Sequence, residues 1–520
     1  MSYQTTLNTW VKRKRDDSIQ HNSYNVTPEQ NNSEKKTPRK IGDNTSNAWN
    51  STHVKLPCSV HNVHYNKLKR LSKWYMMKTV LAQKISSTCD FQDAVSAFNP
   101  TWENPDMDAL HDFFSCYVTP EEHKKFFEDI LPRSQKMALS LPNTCPQAIP
   151  LLRQQKEASV SLTGEQIACL IIHAMFCTFP KRNKAKDPKD EYYGFPSINF
   201  NTLYRSLDNS CHPNIAEKFK CLFFGYLDQI TRPDDFRRDN VVTFERRVLE
   251  IDGQDDIKMW SQSKKALIPL TVRVDGNIED DALRSCQVDF ANKIVGGGVL
   301  GRGCVQEEIR FLISPECIIS RLFTESLQDD ECLLIRGAAR YSNYTGYGDT
   351  FKYNGKYEHA DCNSHVEEEI IVIDALNFPK SKYSPRDQYR PNLILRELQK
   401  AYCGFERPHF KNKTIATGNW GCGVFGGNRQ LKSMIQWIAA SEAGRKDMIY
   451  FAYGDSKLVG ELQDMVQLLT NANATVGDVY CCLTSYRDQV RDIRDEDKPT
   501  IFQYMKTLFG PINVQMDETQ

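Results

Sequence analysis

Residues 414–453, TIATGNWGCGVFGGNRQLKSMIQWIAASEAGRKDMIYFAY, combine two strand-like runs with a glycine-rich loop and a helical run. The spacing predicts a strand over Thr414–Thr417, a helix over Asn428–Ala440 and a second strand over Met448–Tyr453. The glycines then follow the carboxyl end of the first strand. In such a strand–loop–helix–strand unit, backbone amides and the helix N-terminus can cradle a diphosphate.

Upstream runs continue this alternation of strands and helices. Strand-like runs lie at Ile268–Val274, Leu333–Gly337 and Glu369–Ile373, with helical runs between several of them. Strands that alternate with helices indicate a largely parallel sheet that is covered on both faces. We therefore predict an α/β domain over residues 226–520.

Residues 56–225 show the spacing of amphipathic helices instead. Apolar positions over residues 166–177 recur every three or four residues, and Thr163 can cap the free amides before them. Similar patterns run through residues 108–131 and 214–231. The sequence predicts a mainly helical accessory domain here, without a visible catalytic pattern.

The composition limits the class of function. The chain of 520 residues carries 66 Lys and Arg and 66 Asp and Glu, so its formal net charge is zero. This balance argues against a general nucleic-acid coat protein, although it leaves room for a local basic patch. The chain has no apolar run of about 18 residues and its first thirty residues lack an apolar core, so we expect neither a transmembrane helix nor a signal peptide.

The cysteines favour a reducing compartment over a disulfide framework. The chain has 17 of them and no CxxC pair. The nearest thing to a metal-binding group is Cys58, His61 and His64, which lacks a second, well-spaced pair of ligands. The sequence therefore does not predict a zinc site.

Residues 1–55 form a polar tail with few aliphatic residues. Such a segment cannot bury enough apolar area to offset its ordering entropy, so we predict that it is disordered. Gln4, Leu7 and Trp10 have the spacing of the box that docks on the sliding clamp PCNA, with Leu7 and Trp10 on one face of a helical turn. Val11 replaces the second aromatic residue of the usual box, and a chance match stays open.

A basic run follows the box. Lys12–Arg15 reads Lys-Arg-Lys-Arg, which in a disordered tail is typical of a nuclear import signal. The alternative is a solvated run of charge. We expect the nucleus as the location, with the cytoplasm as a second one.

Two segments match the pattern GxGxxG, at Gly296–Gly301 and at Gly421–Gly426. The second has the better context, because a predicted strand precedes it and a predicted helix follows. A nicotinamide-binding domain also needs an acid after the next strand, where Asp455 comes late. A diphosphate site and a simple tight turn both remain open for this segment.

The first glycine segment leads into a predicted helix over residues 306–313. Glu307 and Glu308 occupy its first turn, where neighbouring side chains point about 100° apart. One carboxylate can then face a scissile bond while the other holds a nearby hydroxyl, which suggests acid catalysis on a sugar attached to a diphosphate. The alternative is that the helix dipole favours acids in a first turn.

Three tyrosines, Tyr341, Tyr344 and Tyr347, follow downstream. Gly346 and Gly348 flank the last of them, which suits a ring that lies on a flat base such as adenine. The alternative is packing in the core.

Taken together, these residues resemble the signature of the poly(ADP-ribose) glycohydrolase (PARG) family. The signature consists of Gly296-Gly297-Gly298, seven residues, and then Gln306-Glu307-Glu308. Other blocks are similar to the family as well, namely Val288–Asn292, Tyr344–Tyr347 and Ala416–Gly423, with Ser159–Thr163 and Phe176–Pro180 in the helical region. The resemblance covers most of the chain downstream of the tail, and the tail itself resembles that of the nuclear form.

The resemblance implies a macrodomain-like three-layer α/β/α fold with a mixed sheet, preceded by the helical accessory domain. It implies hydrolysis of the ribose–ribose O-glycosidic bonds of poly(ADP-ribose), release of ADP-ribose, and no metal or cofactor. It further implies a monomer that acts on poly-ADP-ribosylated proteins in the DNA damage response and in DNA repair.

The resemblance also assigns roles to residues. Glu308 would protonate the leaving ribose oxygen and then act as the base for water, with support from Asp289. Glu307 and Asn292 would hold ribose hydroxyls, and Tyr453 stands where the family has a phenylalanine against the nucleotide. The remaining substrate contacts that it implies are Ile278, Glu279 and Gln306 around adenine with Tyr347 over the ring, then Tyr344 and the loop residues Gly296, Gly297 and Gly298, and finally Asn419, Trp420, Gly421, Cys422, Gly423, Val424 and Phe425 around the diphosphate.

Three alternatives are left by the sequence. A macrodomain that binds ADP-ribose without cutting it would not need Glu307 and Glu308. A hydrolase of the protein-linked terminal ADP-ribose is disfavoured by the resemblance. A nicotinamide-dependent oxidoreductase requires a clean acidic residue after the second strand, which the sequence lacks. The stereochemical course and the choice between chain-end and internal cutting stay open.

Overall fold

The structure is a computed structural model that describes residues 48–66, 69–99, 106–180, 182, 191–205, 212–250, 253–358, 369–406, 412–494 and 497–510. The predicted clamp box at Gln4, Leu7 and Trp10 and the basic run Lys12–Arg15 lie outside the described residues. The same holds for most of the predicted tail.

The described strands are β1 (Val63–Asn66), β2 (Lys69–Ser72), β3 (Ala158–Thr163), β4 (Val241–Val248), β5 (Leu270–Arg273), β6 (Cys286–Ala291), β7 (Glu331–Arg336), β8 (Ser342–Thr345), β9 (Lys352–Lys356), β10 (Glu369–Asp374), β11 (Ile415–Gly418) and β12 (Met448–Phe451). The five strands predicted from the sequence are among them, and their ends differ from the prediction by two residues at most.

The described helices are α1 (Lys73–Leu81), α2 (Thr88–Phe98), α3 (Asp108–Cys116), α4 (Pro120–Lys125), α5 (Leu131–Leu139), α6 (Leu141–Thr144), α7 (Gly164–Met175), α8 (Asn201–Tyr204), α9 (Pro213–Lys220), α10 (Asp228–Ile230), α11 (Gly253–Ser261), α12 (Ile278–Asp281), α13 (Gln306–Ile313), α14 (Ser320–Phe323), α15 (Pro391–Phe405), α16 (Arg429–Glu442), α17 (Ser456–Asn471), α18 (Val476–Gln489) and α19 (Ile501–Phe509). None of the helices in the described ranges is long and apolar enough to cross a membrane.

The main sheet is mixed. Within the described residues it has eight strands in the order β3-β4-β7-β10-β6-β11-β12-β5. The strands from β10 to β5 run parallel to one another, whereas β3, β4 and β7 pair antiparallel with their neighbours. The mixed sheet that the family resemblance implied is therefore confirmed.

Both faces of the sheet are covered, as alternation along β10 illustrates. Ile370 and Val372 belong to one hydrophobic core, which also contains residues of α7 and α13. Ile371 and Ile373 belong to a second core, together with residues of α15 and α16. Successive strand residues point to opposite faces, so the sheet lies between two helical layers. The three-layer α/β/α prediction is confirmed.

The predicted helix over residues 166–177 corresponds to α7 and begins as expected. Thr163 caps it, because the amide of Gln166 donates to Thr163 Oγ1 at 3.2 Å and the amide of Thr163 donates to Gln166 Oε1 at 3.0 Å.

Three strands lie inside the range that the sequence assigned to helices, namely β1 and β2, which pair with each other, and β3. β3 pairs with β4 at the end of the main sheet. Its residues alternate, with Val160 and Leu162 buried and the positions between them exposed. The alternation covers too few residues to stand out in the sequence beside the long helical pattern that follows it.

Candidate active site

The carboxyl ends of β6, β11 and β12 lie at one edge of the sheet, because these strands are parallel neighbours. The loop 292–305 leaves β6 there, and the loop 419–428 leaves β11. A cleft of about 910 Å³ opens at this edge, next to a second one of about 620 Å³. The two clefts share several lining residues, namely Phe290, Gln306, Tyr347, Asn419 and Gly423.

Backbone amides of the loop 292–305 hold the Glu307 carboxyl group. The amide of Gly296 donates to Glu307 Oε1 at 2.6 Å, and the amide of Asn292 donates to Oε2 at 2.9 Å. The side chain is buried. Burial raises the pKa of Glu307 well above its usual range, and the charges of Asp289 and Glu308 add to the rise, while the two amide bonds oppose it.

The Glu308 carboxyl group is held in the same way. The amide of Gly298 donates to Glu308 Oε1 at 2.7 Å, and the amide of Val305 donates to Oε2 at 2.9 Å. A Cβ on Gly297 would collide with Glu308 Oε1, and one on Gly303 would lie 2.6 Å from the same atom. The loop needs glycine at these positions because its backbone passes too close to the Glu308 carboxyl group to leave room for a side chain.

Asp289 lies on β6, next to the two glutamates. Its side chain is buried, and within the described part of the chain neither of its oxygens has a hydrogen-bond partner. Burial raises the pKa of Asp289 to about 8, with Arg310 opposing the rise and Glu308 adding to it. Burial thus favours the protonated forms of two of the three acids.

The raised pKa of Asp289 makes stability depend on pH. The folded chain keeps this proton up to a pKa of about 8, whereas an unfolded aspartate releases it near 3.8. Between these values the folded state binds more protons, so the free energy of unfolding falls as pH rises. Asp289→Asn removes this titration, and we expect its Tm to fall less between about pH 5 and about pH 8 than that of the wild type.

Thermal melts at both pH values check this expectation. Asp255→Asn replaces an exposed carboxyl on α11 and serves as the matched control, with the slope of the wild type expected. An Asp289→Asn protein that keeps the full slope would contradict the assignment of the buried proton.

Gln306 links the start of α13 to the end of β6. Its Oε1 accepts from the amide of Phe290 at 2.7 Å, and its Nε2 donates to the carbonyl of Val288 at 3.2 Å. Its own amide donates to the Tyr347 hydroxyl at 3.2 Å. The Gln306 side chain therefore fixes the position of the helix that carries both glutamates.

Two tyrosine rings face each other at the larger cleft. The ring centroids of Tyr347 and Tyr453 lie 5.2 Å apart, and the rings are tilted by 52°. Ile278 and Glu279 line the same cleft, where Glu279 accepts a short hydrogen bond from the Tyr344 hydroxyl. Flat aromatic surfaces of this kind suit a planar base.

Tyr341 does not join this group. Its ring is fully buried, and its hydroxyl donates to Glu316 Oε1 at 2.8 Å. The core-packing alternative is therefore correct for Tyr341, whereas Tyr344 and Tyr347 line the cleft.

Two side chains of the second loop serve to hold it. Asn419 Nδ2 donates to the carbonyl of Ala452 at 3.0 Å, and its Oδ1 accepts from the Tyr450 hydroxyl at 2.9 Å. Trp420 is buried and donates through Nε1 to the carbonyl of Ile373 at 3.0 Å. The side chains of both residues therefore anchor the loop.

The remainder of the second loop meets the cleft with small residues. Gly421 has φ of +72° and packs against Ala375, where a Cβ would collide. Among the described residues, no atom lies within 4 Å of the position that a Cβ on Gly423 would take. Backbone amides on such a loop, before the N-terminus of α16, form a setting that suits an anion.

Asp455 does not stand where a nicotinamide site needs its acid. Its Oδ1 accepts from the amide of Leu458 at 3.0 Å and caps α17, and its Oδ2 pairs with Arg429. The oxidoreductase alternative gains no support from this position.

Comparison with known proteins gives family matches over both parts of the chain. The family described as poly(ADP-ribose) glycohydrolase (PARG), Macro domain fold, matches residues 257–460, and its helical domain matches residues 118–246. Poly(ADP-ribose) glycohydrolase 1 of Arabidopsis thaliana is 30% identical over 461 residues, which cover 72% of this chain and 81% of that protein.

The chain belongs to the poly(ADP-ribose) glycohydrolase family. Members of this family are glycosidases that act on poly(ADP-ribose), so the resemblance seen in the sequence is confirmed at the level of fold and class of enzyme. Poly(ADP-ribose) glycohydrolase 1 of Caenorhabditis elegans is 34% identical in a match that covers 75% of this chain and 48% of that protein. A crystal structure of the Deinococcus radiodurans glycohydrolase with ADP-ribose is 16% identical, with a TM-score of 0.27 over 44% of this chain and 94% of that one.

Most of the site residues that the family resemblance implied lie at the two clefts. Those that line a cleft are Ile278, Glu279, Gln306, Tyr344, Tyr347, Asn419, Trp420, Gly421, Cys422, Gly423, Val424, Phe425 and Tyr453. The others belong to β6, to the loop 292–305 and to α13 and are not among the described residues that line either cleft, namely Asp289, Asn292, Gly296, Gly297, Gly298, Glu307 and Glu308. Their individual roles stay predictions.

Lys218 of α9 holds the loop 292–305, a contact that the sequence did not predict. Its ammonium donates to the carbonyls of Gly298 at 3.2 Å, Val299 at 3.1 Å and Gly301 at 2.8 Å, and also to that of Gly303. A lysine in an amphipathic helix gives no signal that it is buried. The helical domain of the glycohydrolase thus holds the loop 292–305 directly.

Proposed function

We propose that the chain cuts the ribose–ribose O-glycosidic bonds of poly(ADP-ribose) and releases ADP-ribose by carboxyl catalysis at Glu307 and Glu308. The observation that carries the proposal is the pair of buried carboxyl groups, each held by two loop amides, beside a cleft fit for a nucleoside diphosphate. A protein that only binds ADP-ribose has no use for two such acids.

Glu308 is the acid in this mechanism. It gives its proton to the leaving ribose oxygen as the bond between that oxygen and the anomeric carbon breaks. Water then attacks the anomeric carbon, and the Glu308 carboxylate takes the proton that the water loses. Each Glu308 oxygen accepts one amide bond and keeps a lone pair for this exchange.

Glu307 and Asn292 hold the ribose beside the bond that breaks. The raised pKa of Glu307 favours its protonated form, which can donate a hydrogen bond to a ribose hydroxyl. Asn292 Oδ1 accepts from the amide of Ile294 at 3.0 Å, which orients the side-chain amide so that its Nδ2 can donate to a ribose hydroxyl. Asp289, behind them, stays protonated at neutral pH and does not repel the glutamates.

The nucleotide is bound at a distance from the reaction. Tyr347 lies over the adenine and Tyr453 lies against the nucleotide at the same cleft, and the loop 419–425 takes the diphosphate. The binding energy of these remote contacts can hold the ribose in the geometry that the reaction needs, although none of them touches the bond that breaks.

A digestion of purified poly(ADP-ribose) tests the proposal. We expect chromatography of the products to give free ADP-ribose with no added metal or cofactor. Polymer that stays bound and uncut would make the chain a binding module, and release of only the protein-linked terminal unit would make it a different hydrolase.

We propose further that the chain works as a monomer in the nucleus on proteins modified in the DNA damage response and that the tail docks on the clamp PCNA. The support is sequence alone, since Gln4, Leu7, Trp10 and Lys12–Arg15 lie outside the described residues. A Leu7→Ala, Trp10→Ala double variant is expected to lose the clamp in a pull-down, because both apolar plugs are removed. Equal capture of the double variant and the wild type would refute the docking proposal.

A further inference from the structure

We propose that Arg321 is a positioning residue that orients both Glu307 and Glu308 through two peptide groups of the glycine-rich loop. The inference rests on the proposed function, because these are the carboxyl groups assigned to the reaction. Arg321 belongs to α14, and none of its side-chain atoms lines either cleft.

One nitrogen of Arg321 holds two carbonyl groups. Arg321 Nη1 donates to the carbonyl of Val295 at 2.8 Å and to the carbonyl of Gly297 at 3.1 Å. Arg321 Nε donates to the carbonyl of Ser197 at 3.0 Å, which ties the guanidinium to the helical domain. The guanidinium is therefore fixed at both ends.

Each of these carbonyls shares a planar peptide group with an amide that binds a glutamate. In a trans peptide the C=O and the following N–H point in opposite directions. The peptide of the Val295 carbonyl carries the Gly296 amide, which donates to Glu307 at 2.6 Å. The peptide of the Gly297 carbonyl carries the Gly298 amide, which donates to Glu308 at 2.7 Å. Holding the two carbonyls therefore aims the two amides.

The charge of Arg321 strengthens the same arrangement. A cation at the carbonyl end polarises each peptide, so its amide becomes a better donor to the carboxylate on the other side. The side chain is buried, and burial lowers the pKa of Arg321 to about 10, while the charges of Glu307 and Glu308 oppose this fall. Arg321 therefore still carries its charge at neutral pH. A Cβ on Gly296 would lie 3.1 Å from Arg321 Nη1, so the guanidinium packs directly on the loop backbone.

A purely structural arginine would act differently from a positioning one. Loss of a structural contact lowers the stability of the fold and weakens substrate binding along with turnover. Loss of the positioning contact lets both carboxylates turn, while Tyr347, Tyr453 and the loop 419–425 still bind ADP-ribose. The two roles can therefore be distinguished by measuring both kcat and the affinity for ADP-ribose, because loss of the positioning contact lowers only kcat.

The test uses Arg321→Met in the full chain. We expect kcat on poly(ADP-ribose) to fall by about 100-fold, the scale of a misplacement of ~1 Å, with the Kd of ADP-ribose little changed by calorimetry. Arg321→Lys keeps a charge that can reach one carbonyl, so we expect it to restore part of kcat. It also replaces the methionine variant if that protein fails to fold. Arg336→Met is the matched control, because Arg336 pairs with Glu245 across two strands of the sheet.

A second readout does not depend on hydrolysis. In protein labelled with ¹⁵N-glycine, the Gly296 and Gly298 amide protons should move upfield in Arg321→Met and stay in place in Arg336→Met. Unchanged amide shifts, or an equal loss of kcat and ADP-ribose affinity, would overturn the proposal. A wild type that releases no ADP-ribose would instead refute the proposed function, and the amide shifts would then decide on Arg321 by themselves.

Discussion

Glu308→Gln is expected to lower kcat on poly(ADP-ribose) by about 10²–10⁴-fold, the usual contribution of a general acid and base. Glutamine has nearly the shape of glutamate but can neither give a proton to the leaving ribose oxygen nor take one from water. In the wild type the amides of Gly298 and Val305 each donate to a Glu308 oxygen. In the variant one of these two amides faces the NH₂ group of glutamine and loses its acceptor. ADP-ribose affinity should persist, because the base and diphosphate contacts lie at other residues.

The measurement is the release of ADP-ribose by chromatography, with calorimetry of ADP-ribose binding on the same preparation. Glu316→Gln is the matched control. Glu316 is a buried glutamate just beyond α13, where it accepts from Tyr341 at 2.8 Å and from the amide of Ala339 at 2.7 Å, away from the clefts. We expect this control to keep its turnover. A Glu308→Gln protein that cuts the polymer at the wild-type rate would show that another group is the acid.

The helix that carries these acids could be predicted from the sequence alone. The apolar side of Gln306–Ile313 and the glycines before it are local signals, and α13 has the bounds that they predict. The strand–loop–helix–strand unit around Gly421 was predictable for the same reason, because the strand and helix periods change within a short stretch.

The side chains that hold the glycine-rich loop could not be predicted in this way. Lys218 and Arg321 lie far from the loop in sequence, and their burial is decided by how the helical domain packs on the sheet. Trp420 was predicted at the diphosphate and lines the smaller cleft, but its hydrogen bond from Nε1 to the carbonyl of Ile373 on β10 could not be predicted. Contacts between distant segments leave no periodic trace in a single sequence.

Gly297→Ala is expected to lower kcat by about 100-fold, since its new methyl group must displace both carboxyl groups and displacements of ~1 Å cost this much. A Cβ at this position would collide with Glu308 Oε1 and lie 2.6 Å from Glu307 Oε2. The residue also has φ of +42°, where an L side chain costs on the order of 1 kcal/mol. The same substitution therefore affects stability a little and the reaction a great deal.

Gly444→Ala separates these two effects. Gly444 follows α16 with φ of +65°, so alanine there carries the same backbone cost, but no atom of the part of the chain that the structure describes lies within 4 Å of its Cβ position. Thermal melts of the two variants should show similar losses of Tm, whereas only Gly297→Ala should lose kcat. Full turnover in both variants would contradict the prediction. It would show that the loop backbone around Gly297 does not set the position of the two carboxyl groups. A kcat loss confined to Gly297→Ala would locate the sensitivity of the reaction in those few ångströms around the two carboxyl groups.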